Sequence, residues 1–220
     1  FSELEAELEA ELEAELEARR KQYRHYRDRI LSFTPPPPYE KHIKYLTLNE
    51  IANLRRGTSI TRKEIVSGNI PVVAGGRKPA YFHNNPNRSG ETIVVAGSGA
   101  YAGFVSFWAE PIFVSDGFSI EPDDSLALTK YIYYVLKSNQ FYIYKMKQRG
   151  GGVPHIYIKN IKFFRVPVPP LEIQQKIINI LDKFDTLVND LSDGLPAEIN
   201  ARRKQYDYYR DRLLTIKEAA

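Results

Sequence analysis

Apolar residues recur with helical spacing at both ends of the chain. Over residues 2–33 they return every three or four positions, which places them on one face of a helix. The four prolines of residues 35–38 end this helix, because proline has no N–H to donate and its ring clashes with the preceding turn. A second series begins at Leu171 and continues to about Ile216, with a turn or kink at residues 193–196. We therefore predict two long helices.

The middle of the chain has a different pattern, with short apolar runs separated by Gly, Asn and Pro. Such runs predict buried strands, here at residues 70–74, 92–96, 103–108, 112–115, 118–120 and 163–168. Residues 45–52 form a short entry element. Residues 126–147 predict one helix, whose apolar face holds Leu128, Ile132, Val135 and Leu136.

These elements predict an α+β fold. A mostly antiparallel β domain is flanked by two long antiparallel helices that resemble a coiled coil. The predicted boundaries are residues 1–33 for the first helix, 34–170 for the β domain and 171–220 for the second helical segment.

Both helical segments contain repeats. Residues 3–18 are four copies of Glu-Leu-Glu-Ala, and residues 18–33 recur at residues 201–216 with a constant offset of 183 positions. The leucines recur every 4.0 residues, whereas an α-helix has 3.6 residues per turn, so the apolar stripe rotates about the helix by about 40° per unit. The stripe can therefore pack against a partner helix over only a few turns. The helix positions predicted to make partner contacts are Leu8, Leu12, Tyr23, Tyr26, Ile177, Leu181, Tyr206 and Tyr209.

Charge is distributed unevenly along the chain. The net charge is +4, but the first 18 residues carry eight Glu and no Lys or Arg. The other residues therefore hold all 31 basic residues against 19 acidic ones, a net charge of +12. A basic body favours a polyanionic partner such as nucleic acid; the alternative is ordinary solubilising charge. The chain has no cysteine, which favours a reducing compartment, and no apolar run of the roughly 20 residues that a membrane span needs.

Several catalytic motifs are absent or incomplete. The glycines of residues 97–103 resemble a dinucleotide loop, but a strand follows them where such a loop opens a helix. Residues 84–87 do not match the Asn-Pro-Pro-aromatic loop of amino methyltransferases, and the acidic residues 121–124 are interpreted as a turn. The histidines have no metal-ligand spacing and are interpreted as surface residues. We therefore predict no catalytic residue, metal or cofactor.

Three loops combine cations, aromatic residues and glycines, at residues 75–81, 98–101 and 145–155. Arg and Lys hydrogen-bond guanine edges, Gln hydrogen-bonds adenine, and glycine lets the backbone approach closely. Ordinary solvated loops are the alternative for any one residue, but three such loops in one basic domain favour DNA contact. The predicted DNA-binding residues are Arg77, Lys78, Tyr81, Ser98, Tyr101, Lys147, Arg149, Gly151, His155 and Tyr157.

The chain resembles the specificity subunits of type I restriction–modification enzymes. The resemblance rests on the doubled Arg-Lys-Gln-Tyr-x-x-Tyr-Arg-Asp-Arg-x-Leu sequence, which begins at Arg20 and Arg203, and on residues 166–174, which resemble the start of the family's spacer helix. Residues 70–76, 90–99 and 150–154 resemble its target recognition domain.

This resemblance implies a non-catalytic subunit that binds double-stranded DNA and two adenine methyltransferase subunits and, through them, the motor-nuclease subunits. It also implies a cytoplasmic protein. Full-length members carry two recognition domains, whereas this chain has one, so we expect a half subunit, natural or cut down. Two copies pairing through their helices would read a palindromic split site.

Two other functions remain open from the residues alone. The helices could form an oligomerising coiled coil whose central domain binds protein or carbohydrate. The chain could also be an enzyme in its own right, although the missing donor-binding and catalytic loops argue against this.

Overall fold

The protein consists of two compact units. The structure is a computed structural model that describes residues 2–32, 43–148, 152–189 and 195–218. We name its parts the helical unit (Phe1–Ile30 and Asn179–Ala220) and the globular unit (Leu31–Ile178). The helices are α1 (Ser2–Leu31), α2 (Leu48–Ile51), α3 (Thr129–Ser138), α4 (Gln140–Lys145), α5 (Ile158–Ile161), α6 (Leu171–Asn189) and α7 (Leu195–Glu218). The strands are β1 (Lys44–Thr47), β2 (Ala52–Arg56), β3 (Ile70–Val73), β4 (Tyr81–His83), β5 (Thr92–Ala96), β6 (Val105–Trp108), β7 (Phe113–Val114), β8 (Gly117–Pro122) and β9 (Arg165–Val168).

In the helical unit, α1 runs antiparallel to the C-terminal helices. Tyr26 of α1 stacks on Phe184 of α6, with ring centroids 6.3 Å apart and ring planes 15° apart. Further towards the N-terminus of α1, Glu13 forms an ion pair with Arg203 of α7 at 3.7 Å. The later of these two residues of α1 therefore contacts the earlier of the two residues of the C-terminal segment, which is the order expected for antiparallel helices. The predicted antiparallel flanking helices are confirmed.

Basic side chains lie next to the acidic repeat units of α1. Glu13 pairs with Arg203, and Glu15 contacts Arg19 one turn later at 3.8 Å. Pairs as exposed as these contribute less than about 1 kcal/mol each. The helix itself is favoured because Leu, Ala and Glu are all strong helix formers. The ion pairs therefore offset glutamate repulsion, and they contribute little to packing.

The globular unit is built on a four-stranded antiparallel sheet with the strand order β2-β8-β5-β6. Strand β5 lies inside this sheet, and all five of its residues are buried. A strand that is covered on both faces has a continuous apolar run in its sequence, as residues 93–96 do here. Helix α3 packs against β5, β6 and β8 and buries Tyr131, Ile132 and Val135.

A second, three-stranded sheet has the order β4-β3-β7, with β3 antiparallel to β4 and parallel to β7. One apolar cluster joins the two sheets. It contains Val73 of β3, Val94 of β5, Val114 of β7 and Ile112, and Trp108 packs against it. Burial of these apolar side chains fixes where the loops at the strand ends emerge.

The chain enters and leaves the globular unit through one strand pair. Strands β1 and β9 are antiparallel, with Lys44 opposite Val168. Beyond β9, the buried side chain of Gln174 holds the first turn of α6. Its amide nitrogen donates to the carbonyl oxygens of Pro169 and Leu126 at 2.8 and 3.0 Å, and its oxygen accepts from the Leu128 N–H at 2.8 Å.

The predicted α+β architecture is confirmed, including a strand at residues 92–96 and a helix that begins at Leu171. The prediction of one helix over residues 126–147 is wrong, because α3 ends at Ser138 and α4 begins at Gln140. The Gln140 side chain accepts from the Val105 N–H at 2.9 Å and donates to the Gly103 carbonyl at 2.6 Å. These two long-range hydrogen bonds hold the first residue of α4 against the turn that precedes β6.

Four predicted strands are shorter in the structure. Strand β3 ends at Val73, one residue earlier than predicted. Strand β6 begins at Val105, because Gly103 adopts a left-handed conformation (φ +84°) that ends the preceding turn. Strand β7 covers Phe113–Val114 only, and β9 begins at Arg165. None of the described helices is long and apolar enough to cross a membrane.

Candidate nucleic-acid interface

Three loops of the globular unit meet at one place. We name residues 75–80, 97–103 and 147–157 the loop cluster, of which residues 149–151 are not described. The second and third loops pair through their backbones: the Ile156 N–H donates to the Gly97 carbonyl at 2.9 Å, and the Gly99 N–H donates to the Pro154 carbonyl at 3.1 Å. The third loop is closed at its base, where the Gln148 N–H donates to the His155 carbonyl at 2.9 Å. Sequence-distant loops are therefore held in a fixed relation.

Arg77 connects the first loop to the second. Its guanidinium carbon lies 4.8 Å from the centroid of the Tyr101 ring and 5.6 Å from that of Phe104. Burial raises the pKa of the Tyr144 phenol, while the Arg77 guanidinium beside it acts in the opposite direction. A guanidinium held by aromatic rings loses less conformational entropy when it binds a ligand. The Arg77 side chain is exposed to solvent.

Two lysines extend this arrangement of cations and rings. The Lys147 ammonium lies 4.3 Å from the centroid of the Tyr144 ring, and it donates to the Ala100 carbonyl at 3.5 Å. The Lys137 ammonium lies 4.2 Å from the Phe104 ring centroid. Each such contact contributes roughly 0.5–1 kcal/mol at an exposed site. The cations are thus positioned before any polyanion arrives.

A groove of about 560 Å³ lies beside the second and third loops. On its wall, His155 and Tyr157 are stacked, with ring centroids 5.8 Å apart and planes 6° apart. The Lys159 ammonium lies 5.5 Å from the Tyr157 centroid, and Arg56 lines the same groove. The cationic groups of this groove suit the phosphate oxygens of a nucleic acid.

The structure brings six of the predicted DNA-binding residues into this region: Arg77, Ser98, Tyr101, Lys147, His155 and Tyr157. Lys78 is an exposed residue of the first loop. Tyr81 is directed elsewhere, because it belongs to β4 and its hydroxyl donates to the Ile60 carbonyl at 3.4 Å. Arg149 and Gly151 lie outside the described residues.

Sequence reasoning missed five residues of this region: Arg56, Asp116, Lys137, Tyr144 and Lys159. Lys137 and Tyr144 were counted as parts of one ordinary helix. Asp116 precedes Gly117, and an Asp-Gly pair after an apolar run is a turn signal that could have located it. Nothing in the local sequence marks Arg56 or Lys159, which reach the groove from β2 and α5.

The predicted partner contacts on the helices differ in exposure. Tyr23, Ile177 and Leu181 are buried. Tyr26 contacts Phe184 as described above, Tyr206 is half-buried, and Tyr209 is 54% exposed. Leu8 and Leu12 belong to α1, but their side chains are outside the described part of the structure.

Two interpretations of polar residues need correction. His83 is not a surface residue: it is buried, its Nδ1 accepts from the Val66 N–H at 3.2 Å, and its ring meets Phe113 edge to face. Glu121 does not belong to an acidic turn; it lies in β8 and pairs with the buried Arg88 at 3.1 Å. Burial lowers the pKa of Arg88, since desolvation disfavours the charged form.

The described residues contain no group of three or more His, Cys, Asp or Glu side chains placed to hold a metal ion.

The family of type I restriction modification DNA specificity domains matches residues 40–201, which is most of the globular unit and part of the helical segment that follows it. The chain belongs to this specificity-domain family. It is 36% identical over 221 residues to a type I restriction enzyme specificity subunit of Escherichia coli, an alignment that covers 90% of this chain and 53% of the relative. It is 34% identical over 209 residues to the MpnII specificity subunit of Mycoplasma pneumoniae, covering 88% of this chain and 60% of that subunit. The chain thus spans between half and two thirds of these relatives.

The fold is also that of solved specificity-family structures. The S subunit of a type I restriction–modification system from M. genitalium matches with a TM-score of 0.72 and 21% identity, covering 93% of this chain and 56% of that one. A subunit from Thermoanaerobacter tengcongensis matches with a TM-score of 0.58 and 22% identity, covering 85% of this chain and 51% of that one. At these identities the likeness concerns the fold.

Proposed function

We propose that the chain is a DNA-reading unit of a type I restriction–modification specificity subunit. The globular unit binds one half of a split DNA site and reads its sequence. The observation that carries this proposal is the loop cluster, in which exposed cations are held against aromatic rings beside a groove with further basic residues. Because the chain belongs to the specificity-domain family, we assign double-stranded DNA as the ligand of that surface.

The loop cluster offers two kinds of DNA contact. Lys147 of the loop cluster and Lys159 of the adjacent groove supply ammonium groups that suit phosphate oxygens. Such contacts fix register without reading sequence. Arg77 supplies a planar guanidinium, whose two parallel donors match the O6 and N7 acceptors of guanine. In this proposal the base sequence is recognised by fixed loops of the protein and not by a helix inserted into the major groove of the DNA.

The helices serve as the spacer and docking part of the same proposal. We assign residues 1–33 and 171–220 to the spacer and residues 34–170 to the target recognition domain. The chain carries no catalysis of its own. Two methyltransferase subunits dock on the spacer, the restriction subunits join through them, and two copies of the chain pair through their helices. With DNA as its partner, the complex would act in the cytoplasm.

Affinity for duplex DNA at two salt concentrations tests this proposal. If four cations of the loop cluster and the adjacent groove contact phosphates, the affinity is expected to fall about 100-fold between 50 and 200 mM salt, because each contact releases a counterion. Fluorescence anisotropy of a labelled duplex measures this directly. A scaffold that binds protein or carbohydrate would show no such fall, and that result would exclude the DNA-reading function.

A further inference from the structure

The groove beside the loop cluster contains a carboxylate among its basic residues. Asp116, between β7 and β8, is the one acid among the described residues that line it, together with Arg56, His155 and Lys159. One carboxylate oxygen, Oδ2, accepts a short hydrogen bond from the Ser98 hydroxyl. This contact connects the carboxylate to the second loop of the cluster.

Two glycines make room for this carboxylate. A Cβ atom at Gly97 would lie 2.8 Å from Asp116 Oδ1, closer than real Cβ contacts. A Cβ atom at Gly75 would lie 3.2 Å from Asp116 Oδ2 and 2.7 Å from the Ser98 carbonyl oxygen. The glycine positions of the first and second loops therefore fit closely around Asp116. A larger residue at Gly97 would displace the carboxylate, and one at Gly75 would collide with the Ser98 carbonyl.

A carboxylate in a surface that attracts phosphates weakens non-specific DNA binding, because like charges repel. It contributes favourably only when the DNA brings a hydrogen-bond donor to it. The Ser98 hydroxyl directs its one hydrogen to Asp116, so the lone pairs of both side chains are left to act as acceptors. The matching group on DNA is an exocyclic amino group in the major groove.

Cytosine fits this acceptor better than adenine. In the major groove the N4 amino group of cytosine has a C5–H on one side and the O6 acceptor of the paired guanine on the other. The N6 amino group of adenine instead lies between two acceptors, its own N7 and O4 of the paired thymine, and each of them would repel a carboxylate. We propose that Asp116 is a specificity-determining residue that accepts a hydrogen bond from the N4 amino group of a cytosine in the half site. This inference rests on the proposed DNA-reading function.

The test begins with selection of bound duplexes from a randomised library by the 220-residue chain at low salt. The wild-type chain is expected to select a half site that contains cytosine. The Asp116→Asn variant keeps the shape of the side chain but adds a hydrogen-bond donor. At one position of the half site, its preference for cytosine over the other bases is expected to fall at least about fivefold. The preference for adenine there is expected to rise, because Asn can hydrogen-bond both N6 and N7 of adenine. Glu110→Gln, a matched change of an exposed acid outside the groove, is expected to leave the half site unchanged.

A measurement on the wild-type chain avoids any folding defect of the variant. Each cytosine of the selected half site is replaced in turn by N4-methylcytosine, which removes the free N4 hydrogen, or by 5-methylcytosine, which keeps it. One position is expected to lose at least about fivefold in affinity with the first base and to lose less with the second.

The outcomes separate this inference from the proposed function. If the wild-type chain selects no sequence, both are overturned. If it selects a half site without cytosine, or if no cytosine is sensitive to N4-methylation, the role of Asp116 is overturned and DNA reading stands. A general loss of affinity in Asp116→Asn with unchanged base preferences would leave Asp116 a purely structural residue and would also overturn the inference.

Discussion

Deletion of one Glu-Leu-Glu-Ala unit, residues 7–10, is expected to shorten the unspecified gap of the DNA site by one or two base pairs while leaving the half-site sequence unchanged. Helix α1 has 30 residues, and removing four shortens it by about 6 Å and rotates the remainder by about 40°. One base-pair step is roughly 3.4 Å. The reason is that the proposed spacer fixes the distance between two reading units in a pair of chains.

Mapping of methylated sites in cells that express the chain with its methyltransferase subunit measures this gap. The matched control replaces residues 7–10 with four alanines, which keeps the length and the helix but removes the charges and the leucine. The control is expected to keep the original gap. An unchanged gap in the deletion, or a changed one in the alanine control, would show that helix length does not set the spacing.

The double substitution Arg77→Ala with Lys147→Ala is expected to weaken duplex binding about 100-fold at physiological salt. Each cation that contacts DNA contributes on the order of tenfold in affinity. The salt dependence should lose about one unit of slope, because Lys147 contacts a phosphate whereas Arg77 reads a guanine. Both side chains are held on aromatic rings, at 4.8 Å from Tyr101 and 4.3 Å from Tyr144. The rings can remain in place when the cations are removed.

A matched control for this variant is Lys63→Ala with Lys183→Ala. It removes the same charge from two exposed positions outside the loop cluster. Its affinity is expected to change less than about threefold, because isolated surface charges beyond a Debye length are screened. If both variants lost the same affinity for DNA, the net charge of the protein would govern binding, and the loop cluster would have no special role. The unfolding midpoint of each variant in urea verifies that it is folded.

Sequence reasoning located elements whose pattern is local. Strand β5 was predicted because a strand buried on both faces is apolar throughout. Strand β2 was missed because its residues alternate between half-buried and exposed positions and include two arginines, so it resembles a polar loop. The break between α3 and α4 was missed because its anchor, the contact of Gln140 with Gly103 and Val105, joins residues more than 30 positions apart.

The candidate site likewise combines features that are visible in the local sequence with features that depend on the fold. Arg77, Tyr101 and Lys147 were predicted to bind DNA because cations and aromatic residues near glycine form a local sequence pattern. The stacking of Arg77 on Tyr101 depends on how the two sheets pack, which no local pattern encodes. Asp116 was missed for a different reason. A single acidic residue is notable only because basic residues surround it in the groove, and these come from distant parts of the sequence.

Photo-cross-linking from the loop cluster tests the central claim most directly. Tyr101, which is 40% exposed, is replaced by p-benzoylphenylalanine, and so, in a separate chain, is Tyr142 of α4, which is 59% exposed. Each chain is irradiated with a labelled duplex at low salt. The account predicts covalent attachment to DNA from position 101 at a yield at least about tenfold above that from position 142, because position 101 lies beside Arg77 in the proposed DNA-reading surface. Equal yields, or a higher yield from position 142, would contradict the assignment of the loop cluster as the DNA-reading surface.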